Sequence, residues 1–476
     1  MCIKKIAFFC FLPVLIVSWS SAQAPSERNI TIINDLYNEN QIIPSPPKPK
    51  GRPSVALVLS GGGARGFAHL PVLELIKEYN IPVDIVIGTS VGSIVGGMYC
   101  AGYSIEDMKK IFLSLNWSEI FNDKTYESYE HRLGKHSRTA MPLSATFMKN
   151  ENGLSLNLGS GILTGQYAYE LLKKLTLAIP SDVDFDSLPI PFRATGVNLL
   201  SGDIEVFSKG DLAEAIRASM SIPAFFQPLA VDGKYYIDGG TRDNTPIDVA
   251  AKMGYDIIIA SEISSKLLEN YSDLSSNPVA VLQQMNNMEQ SVRNRTVYKK
   301  ASLVMFPDYS SYTILNFAKS HEIYECGAKS LEKYRPALQK LKDELNVSKE
   351  SASSTAAAVK PINTADLQAD YTLNTLPIIT SISISGGDEQ DKKLIEKYFF
   401  QIKNQRLTPE LYESFEKSVY KSGRYNTVLT RITKNASNES NMEVLIKKKE
   451  QKKTVFLLGA EYHATLTTDA MNDITF

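Results

Sequence analysis

Short uninterrupted apolar runs, each followed by a glycine-marked turn and then by apolar positions at helical spacing, organise the first half of the chain. Ser54–Ser60 (SVALVLS) is apolar and β-branched almost throughout, the pattern of a strand buried on both faces. Gly61, Gly62 and Gly63 follow, and helical spacing then runs from about Phe67 to Tyr79. Val83–Ile87 (VDIVI) repeats the strand pattern, and a helix rich in Gly and Ala, able to pack closely on a sheet, follows from Val91 to about Tyr103. This strand-loop-helix-strand-turn-helix order predicts an α/β fold whose parallel sheet is covered on both faces. Ile105–Leu177 is more polar and aromatic, with helices and a loop expected around Tyr126–Thr139; it reads as a cap or insertion.

Alternation resumes at Phe192–Leu199, with Ile204–Phe207 as its hairpin partner around Ser201-Gly202-Asp203. Asp211 is placed to cap a helix ending near Ser219. Tyr235–Ile237 is a short strand that runs into Asp238-Gly239-Gly240, Tyr255–Ser261 is a further buried strand, and Pro278–Leu345 reads as largely helical. Beyond Pro377 the pattern changes: Ile378–Ser385 alternates, Lys392–Gln401 and Pro409–Ser422 are helical, and Val428–Thr433 and Met442–Lys447 alternate again. That β-α-α-β-β order predicts a small, separate α+β module.

The segments between these patterns divide the chain. Lys4 and Lys5, the apolar run Ile6–Val17 and the small residues Ser20, Ser21, Ala22 and Ala24 have the form of a secretory signal peptide, cleaved after Ala22 or Ala24. The apolar run falls short of the roughly 20 residues that span a bilayer, and no small-residue-then-Cys signal for lipidation follows it. The expected division is therefore signal peptide at 1–24, a proline-rich extended linker at 25–53, a main domain at 54–346, a Ser/Ala/Thr-rich linker at 347–376, the small module at 377–450 and an alternating tail at 451–476.

Composition narrows the function classes. The 476 residues are enough for two or three cores, and 43% hydrophobic content fits folded domains. Lys+Arg 51 against Asp+Glu 52 leaves a net charge of −1, so no electrostatic nucleic-acid binder is indicated. Cys2 and Cys10 would leave with the signal; no disulfide can be inferred for Cys100 and Cys326, which read as buried small apolar residues. No Cys/His cluster has metal-ligand spacing, and no cofactor is expected.

The chemistry sits on the turns. Gly88-Thr89-Ser90-Val91-Gly92 has the form of a nucleophile elbow, a serine on a tight strand-to-helix turn flanked by glycines where a side chain would collide. Gly61, Gly62 and Gly63 could turn bare N–H groups toward a developing oxyanion. The P-loop Gly-Lys-Ser/Thr is absent and Arg65 stands in the wrong place for its lysine; the dinucleotide spacing also fails. Arg65 is read as a loop organiser or an anion contact.

A serine hydroxyl needs a base within hydrogen-bond reach. Of five histidines, His69 follows the glycine loop and reads as packing, His131 and His136 lie in a polar stretch, and only His321 comes late enough for a Ser-His-Asp order. Asp238, ending a strand and followed by two glycines, is the better base. A desolvated carboxylate is basic enough to accept the serine proton, and open α/β sheets gather their sites at the strands' carboxyl ends.

These residues resemble the patatin-like phospholipase family, whose fingerprint is a GGGxRG oxyanion loop, a GxSxG elbow and a DGG or DGA base motif. They stand here as Gly61–Gly66, Gly88–Gly92 and Asp238–Gly240, with Ala218-Ser219-Met220-Ser221-Ile222-Pro223 matching a fourth segment, all in family order. The resemblance implies a three-layer sandwich with a mainly parallel central sheet and a Ser90–Asp238 dyad needing no histidine. It also implies hydrolysis of lipid carboxylic esters (EC 3.1.1.-), with Arg65, Gly88, Gly92 and Gly240 in support.

The C-terminal module resembles a POTRA domain in strand order and in its Ser422-Gly423-Arg424-Tyr425 turn. Secreted bacterial relatives join such modules to an outer-membrane barrel. Here 453–466 would be the first barrel strand alone, so the chain reads as a truncated relative. The expected setting is the periplasm or outer membrane, with a membrane lipid or fatty ester as substrate, no nucleic acid, and a homodimer left open. The alternative is an outer-membrane secretion or assembly protein that carries the hydrolase domain as passenger, its module binding partner strands by edge pairing.

Overall fold

In the computed structural model, which describes residues 37, 43–120, 146–150, 153–157, 161–264, 267, 278–309, 312–352, 376–435 and 439–448, the first two apolar runs are strands buried at every position, β1 (Val55–Leu59) and β2 (Ile85–Thr89). Six more strands join them: β3 (Phe192–Asn198), β4 (Ile204–Phe207), β5 (Leu229–Val231), β6 (Lys234–Asp238), β7 (Ile257–Ser261) and β8 (Leu303–Met305). The sheet order is β5-β6-β3-β2-β1-β7-β8, with β4 also against β3. From β3 to β8 every pair is parallel; β4, β5 and β6 join antiparallel.

Strand alternation divides the core in two. Val55, Leu57 and Leu59 of β1 face one side with α1 (His69–Glu78), α2 (Val91–Cys100) and α3 (Ile105–Ser114), whereas Ala56 and Val58 face Ile247, Val249 and Ala250 at α7 (Ile247–Lys252). Between α3 and α7 come α4 (Trp117–Ile120), α5 (Gln166–Leu175) and α6 (Leu212–Ser219), and α8 (Pro278–Val297), α9 (Ser320–Leu331) and α10 (Arg335–Ala352) follow. Helices on both faces of a mostly parallel sheet make a three-layer α/β domain. Asp211 caps α6 as expected, its side chain accepting from the Glu214 N–H.

Some elements depart from the sequence reading. β8 lies inside the stretch read as helical: three residues are too few for alternation to stand out beside two long helices. The basic proline-rich segment is extended but is no free linker. Its Pro44 carbonyl accepts from Arg193, Arg52 pairs with Asp84 at 2.5 Å, and Tyr37 is buried in the second core. Helix α10 continues to Ala352, into the expected second linker. The signal peptide at 1–24, the loop at 126–139, most of the second linker and the tail at 451–476 lie outside the described residues.

The C-terminal module is β9 (Ile379–Ser385), α11 (Glu389–Phe399), α12 (Pro409–Tyr420), β10 (Tyr425–Lys434) and β11 (Ser440–Lys448), in sheet order β9-β11-β10. It has its own core around Ile395, Tyr412, Phe415, Val428 and Val444. Beside having a sheet and core of its own, it is bonded to the main domain along the β10 edge. The Gln166 carboxamide takes both the N–H and the C=O of Val428 (3.1 and 2.7 Å), and the Tyr169 hydroxyl does the same with Thr430 (2.9 and 3.0 Å). Ser181 likewise engages both groups of Ile432. Side chains and the Ser181 N–H thus stand in for a neighbouring strand and satisfy an edge that would otherwise be open.

Candidate active site

Ser90 sits between β2 and α2 with φ 55° and ψ −123°, a backbone region costly for any residue with a Cβ. Its N–H donates to the Ser219 Oγ at 2.9 Å, and its carbonyl accepts from the Ser93 N–H and hydroxyl at 2.9 and 2.6 Å. The glycines around it are required for space. A Cβ at Gly92 would run into the Leu59 carbonyl, one at Gly88 into the Gly92 carbonyl, and one at Gly66 into the Val91 side chain. The elbow is therefore packed backbone to backbone against itself and the end of β1, and the glycine loop against the Val91 side chain.

Strand register brings Asp238 beside Ser90. Thr89 pairs with Thr195 on β3, and Gly196, the next residue, pairs with Asp238 on β6, so Ser90 and Asp238 come level on either side of β3. The expectation was a carboxylate at the carboxyl end of its strand, at the edge where open α/β sheets gather their sites. The structure reaches that place differently, because β6 runs antiparallel to β3. Asp238 is buried at 5% exposure; its carboxylate accepts from the Gly240 N–H at 2.7 Å and is hydrogen-bonded by the Ser90 side chain. Burial pushes its pKa up to about 6, with the Ser90 and Gly240 hydrogen bonds pulling it back. It is ionised near neutral pH and more basic than an exposed carboxylate.

The glycine loop is held from two sides. The Gly61 N–H donates to the Asn244 carbonyl at 3.0 Å, and the Asn244 carboxamide donates to the Gly61 carbonyl at 3.1 Å. Gly61 was expected to share in the oxyanion hole, but its N–H is already committed. Among the described residues the Gly62 and Gly63 N–H groups donate to no protein acceptor, which leaves these two for an oxyanion. Ala64 N–H donates to the Ile314 carbonyl at 2.9 Å. Arg65 organises the loop: its Nε donates to the Tyr312 carbonyl at 3.0 Å, and its guanidinium lies 4.4 Å from the Tyr309 ring centre.

Ser90 opens onto a pocket of about 600 Å³, mouth included, lined almost wholly by apolar side chains such as Ile94, Phe112, Trp117, Ile222 and Phe226. Trp117 stacks on Phe317 at 5.3 Å and meets Phe67 edge-on at 5.4 Å. A pocket of this kind accepts a hydrocarbon chain and offers little to a polar one.

The histidines are elsewhere. His69 is buried between Ser261 Oγ (2.8 Å) and the Ser60 carbonyl (3.0 Å), and burial lowers its pKa to about 4, which keeps it neutral. His321 is exposed on α9 and does not line the pocket; His131, His136 and His463 lie outside the described residues. Cys100 and Cys326 are unpaired thiols. Among the described residues no group of three or more His, Cys, Asp or Glu is placed to hold a metal ion.

Several further groups support the pair. Ser219 and Ser221 belong to the segment before the aspartate: Ser219 holds the Ser90 N–H, and the Ser221 carbonyl accepts from the Asp238 N–H at 2.9 Å, so one short segment ties both groups together. Asn244, Asn286 and Gln290 carry no motif around them; only Asn244, six residues after Asp238, lay near enough to draw notice.

Residues 57–251 match the family model described as patatin-like phospholipase. Lysophospholipase NTE1 of Candida albicans is 28% identical over 310 residues, 58% of this chain and 19% of that protein. Patatin-like phospholipase domain-containing protein 7 of Rattus norvegicus is 29% identical over 300 residues (58% and 20%). Patatin-like phospholipase domain-containing protein ZK370.4 of Caenorhabditis elegans is 30% identical over 301 residues (58% and 20%). The chain thus spans about a fifth of the length of these curated relatives.

Proposed function

Because the main domain belongs to the patatin-like phospholipase family, we propose that this chain is a lipid acyl hydrolase that cleaves carboxylic esters of a phospholipid or lysophospholipid through a Ser90–Asp238 dyad. In the reaction proposed, the Asp238 carboxylate takes the Ser90 proton as Oγ attacks the ester carbonyl. The N–H groups of Gly62 and Gly63 hold the tetrahedral oxyanion. The leaving alcohol takes the proton back from Asp238, and an acyl-enzyme remains on Ser90. Water then attacks with Asp238 again as base, releasing the fatty acid and restoring the serine.

The observation that carries this reading is the meeting of a buried, basic carboxylate and a strained serine at the mouth of an apolar pocket. Purified full chain incubated with a panel of phospholipids, lysophospholipids and triglycerides, its products identified by mass spectrometry, should release free fatty acid. Ser90→Ala and Asp238→Ala should each abolish release; hydrolysis retained by either variant would refute the dyad.

The setting belongs to the same proposal. The basic-then-apolar N-terminus supports export, and the β-α-α-β-β module, read as POTRA-like, supports a place at a bacterial cell envelope. Among the described residues no helix is long and apolar enough to cross a membrane. Fractionation of periplasm and membranes checks that placement.

A further inference from the structure

Between Val281 and Asn294 the described side chains of helix α8 are arranged inside out. Asn286, Gln290, Arg293 and Asn294 turn toward the domain, while Val281, Met285, Met288 and Val292 are exposed. A helix kept for hydrophobic packing would present the opposite face. What Asn286 and Gln290 supply to the domain is hydrogen bonds, and these two converge on the base motif. The Gly240 carbonyl receives the Asn286 Nδ2 and the Gln290 Nε2, both at 3.1 Å, so both of its lone pairs are used. Gln290 is 5% exposed, and its Oε1 accepts from the Asn244 N–H at 3.3 Å. Asn244 in turn holds both polar groups of Gly61.

Resting on the dyad reading, we propose that Gln290 and Asn286 are positioning residues for the reaction: they fix Gly240, whose N–H orients the Asp238 carboxylate, and Gln290 couples that base to the oxyanion loop through Asn244. Gly240 is an unbranched residue in a short turn, free to rotate without a partner. With its carbonyl clamped from α8, its N–H is aimed at Asp238 Oδ1 at 2.7 Å. One glutamine thereby sets the geometry of the base and, at one remove, of the loop facing the oxyanion.

The charged groups around Asp238 do not compete for this role. Asp243 and Asp248 are engaged by Arg293 of α8, Tyr37 takes the second Asp243 oxygen, Lys300 adds to Asp248, and Glu262 is bonded by Thr245 and Tyr298. Arg242 ends the same turn. The titration of Asp238 is governed by burial, Ser90 and Gly240.

Gln290→Met keeps the side chain's length and removes both hydrogen bonds; Asn286→Leu removes one donor. With a soluble short-chain p-nitrophenyl ester, each should lower kcat about tenfold, the order of one lost orienting hydrogen bond, with KM little changed. A loosened Gly240 N–H stabilises the carboxylate less, so the acid limb of the kcat–pH profile should move to higher pH by about half a unit. Met288→Ala, on the outer face of the same helix, should leave kcat and the limb unchanged. A wild-type limb in a folded Gln290→Met or Asn286→Leu protein, or a loss of activity that merely follows a fall in Tm, would overturn the positioning role while leaving the dyad standing. Should Gln290→Met fail to fold, Asn286→Leu decides alone. A wild-type chain inert toward every ester would refute the dyad reading itself.

Discussion

At the scale of single residues, the role proposed for Asp238 makes two demands that pull against each other. A base for serine must be desolvated, and desolvation makes its ionised form costly to bury. Its folded pKa of about 6 lies above the ordinary 3.8, so the folded state holds the proton more tightly than the unfolded chain. The stability this provides is complete below the unfolded value and is lost as pH rises through 6. Asp238→Asn, which cannot ionise, should therefore be inactive yet more stable than wild type by about 3 kcal/mol at pH 8, the gap closing below pH 4. Urea titrations at the two pH values measure this. An equal gap at both would mean that ionisation of Asp238 does not set it. The aspartate itself was legible in the sequence because two glycines follow it; its basicity was not, since burial is a property of everything packed around it.

At the scale of elements, the elbow works through close approach between backbones. Gly92 lets the first turn of α2 sit against the Leu59 carbonyl of β1, which keeps Ser90 in its strained conformation. Gly92→Ala puts a methyl into backbone that has nowhere to move. It should cost about 3 kcal/mol, the upper range of overpacking, and abolish hydrolysis with it. Gly96→Ala, one turn along, meets a Val86 methyl at 2.9 Å, which a side chain can relieve, so it should be markedly milder. Denaturation midpoints of the two variants test the contrast, and equal losses would argue against the elbow as the sensitive point. The glycine spacing was legible for this steric reason. The short β8 was not, because three residues carry too little pattern to compete with their flanks.

At the scale of the whole molecule, the C-terminal module is a structural neighbour of the site. Arg431 of β10 makes a bidentate pair with Glu214 on α6 at 2.9 and 2.8 Å, and α6 ends in Ser219, which holds the Ser90 N–H. Glu214 is buried, and desolvation raises its pKa to about 7 even with Arg431 pulling it down. Arg431→Met should therefore destabilise the protein by about 1–3 kcal/mol through an unpaired buried carboxylate. The loss should grow as pH rises above 7, because without Arg431 the folded-state pKa of Glu214 rises further and the variant goes on losing stability where the wild type has already ionised. Tm measured between pH 5 and 9 checks this; a loss independent of pH would mean that packing and not charge is at stake. The β10 edge is already engaged by Gln166, Tyr169 and Ser181, so partner-strand addition there would first have to displace the main domain.

By itself the sequence determined the alternating α/β order, the serine elbow, the glycine loop and the aspartate, because each is written in local spacing and in residues whose chemistry allows few alternatives. Tertiary structure alone decided that β6 runs antiparallel and brings Asp238 level with Ser90, and that the Gly61 N–H belongs to Asn244. It also decided that carboxamides on a distant helix clamp Gly240 and that the module shares its strand edge with the main domain. Each of these is a contact between segments far apart in the chain, and which partner a backbone group finds there depends on the packing of the whole domain.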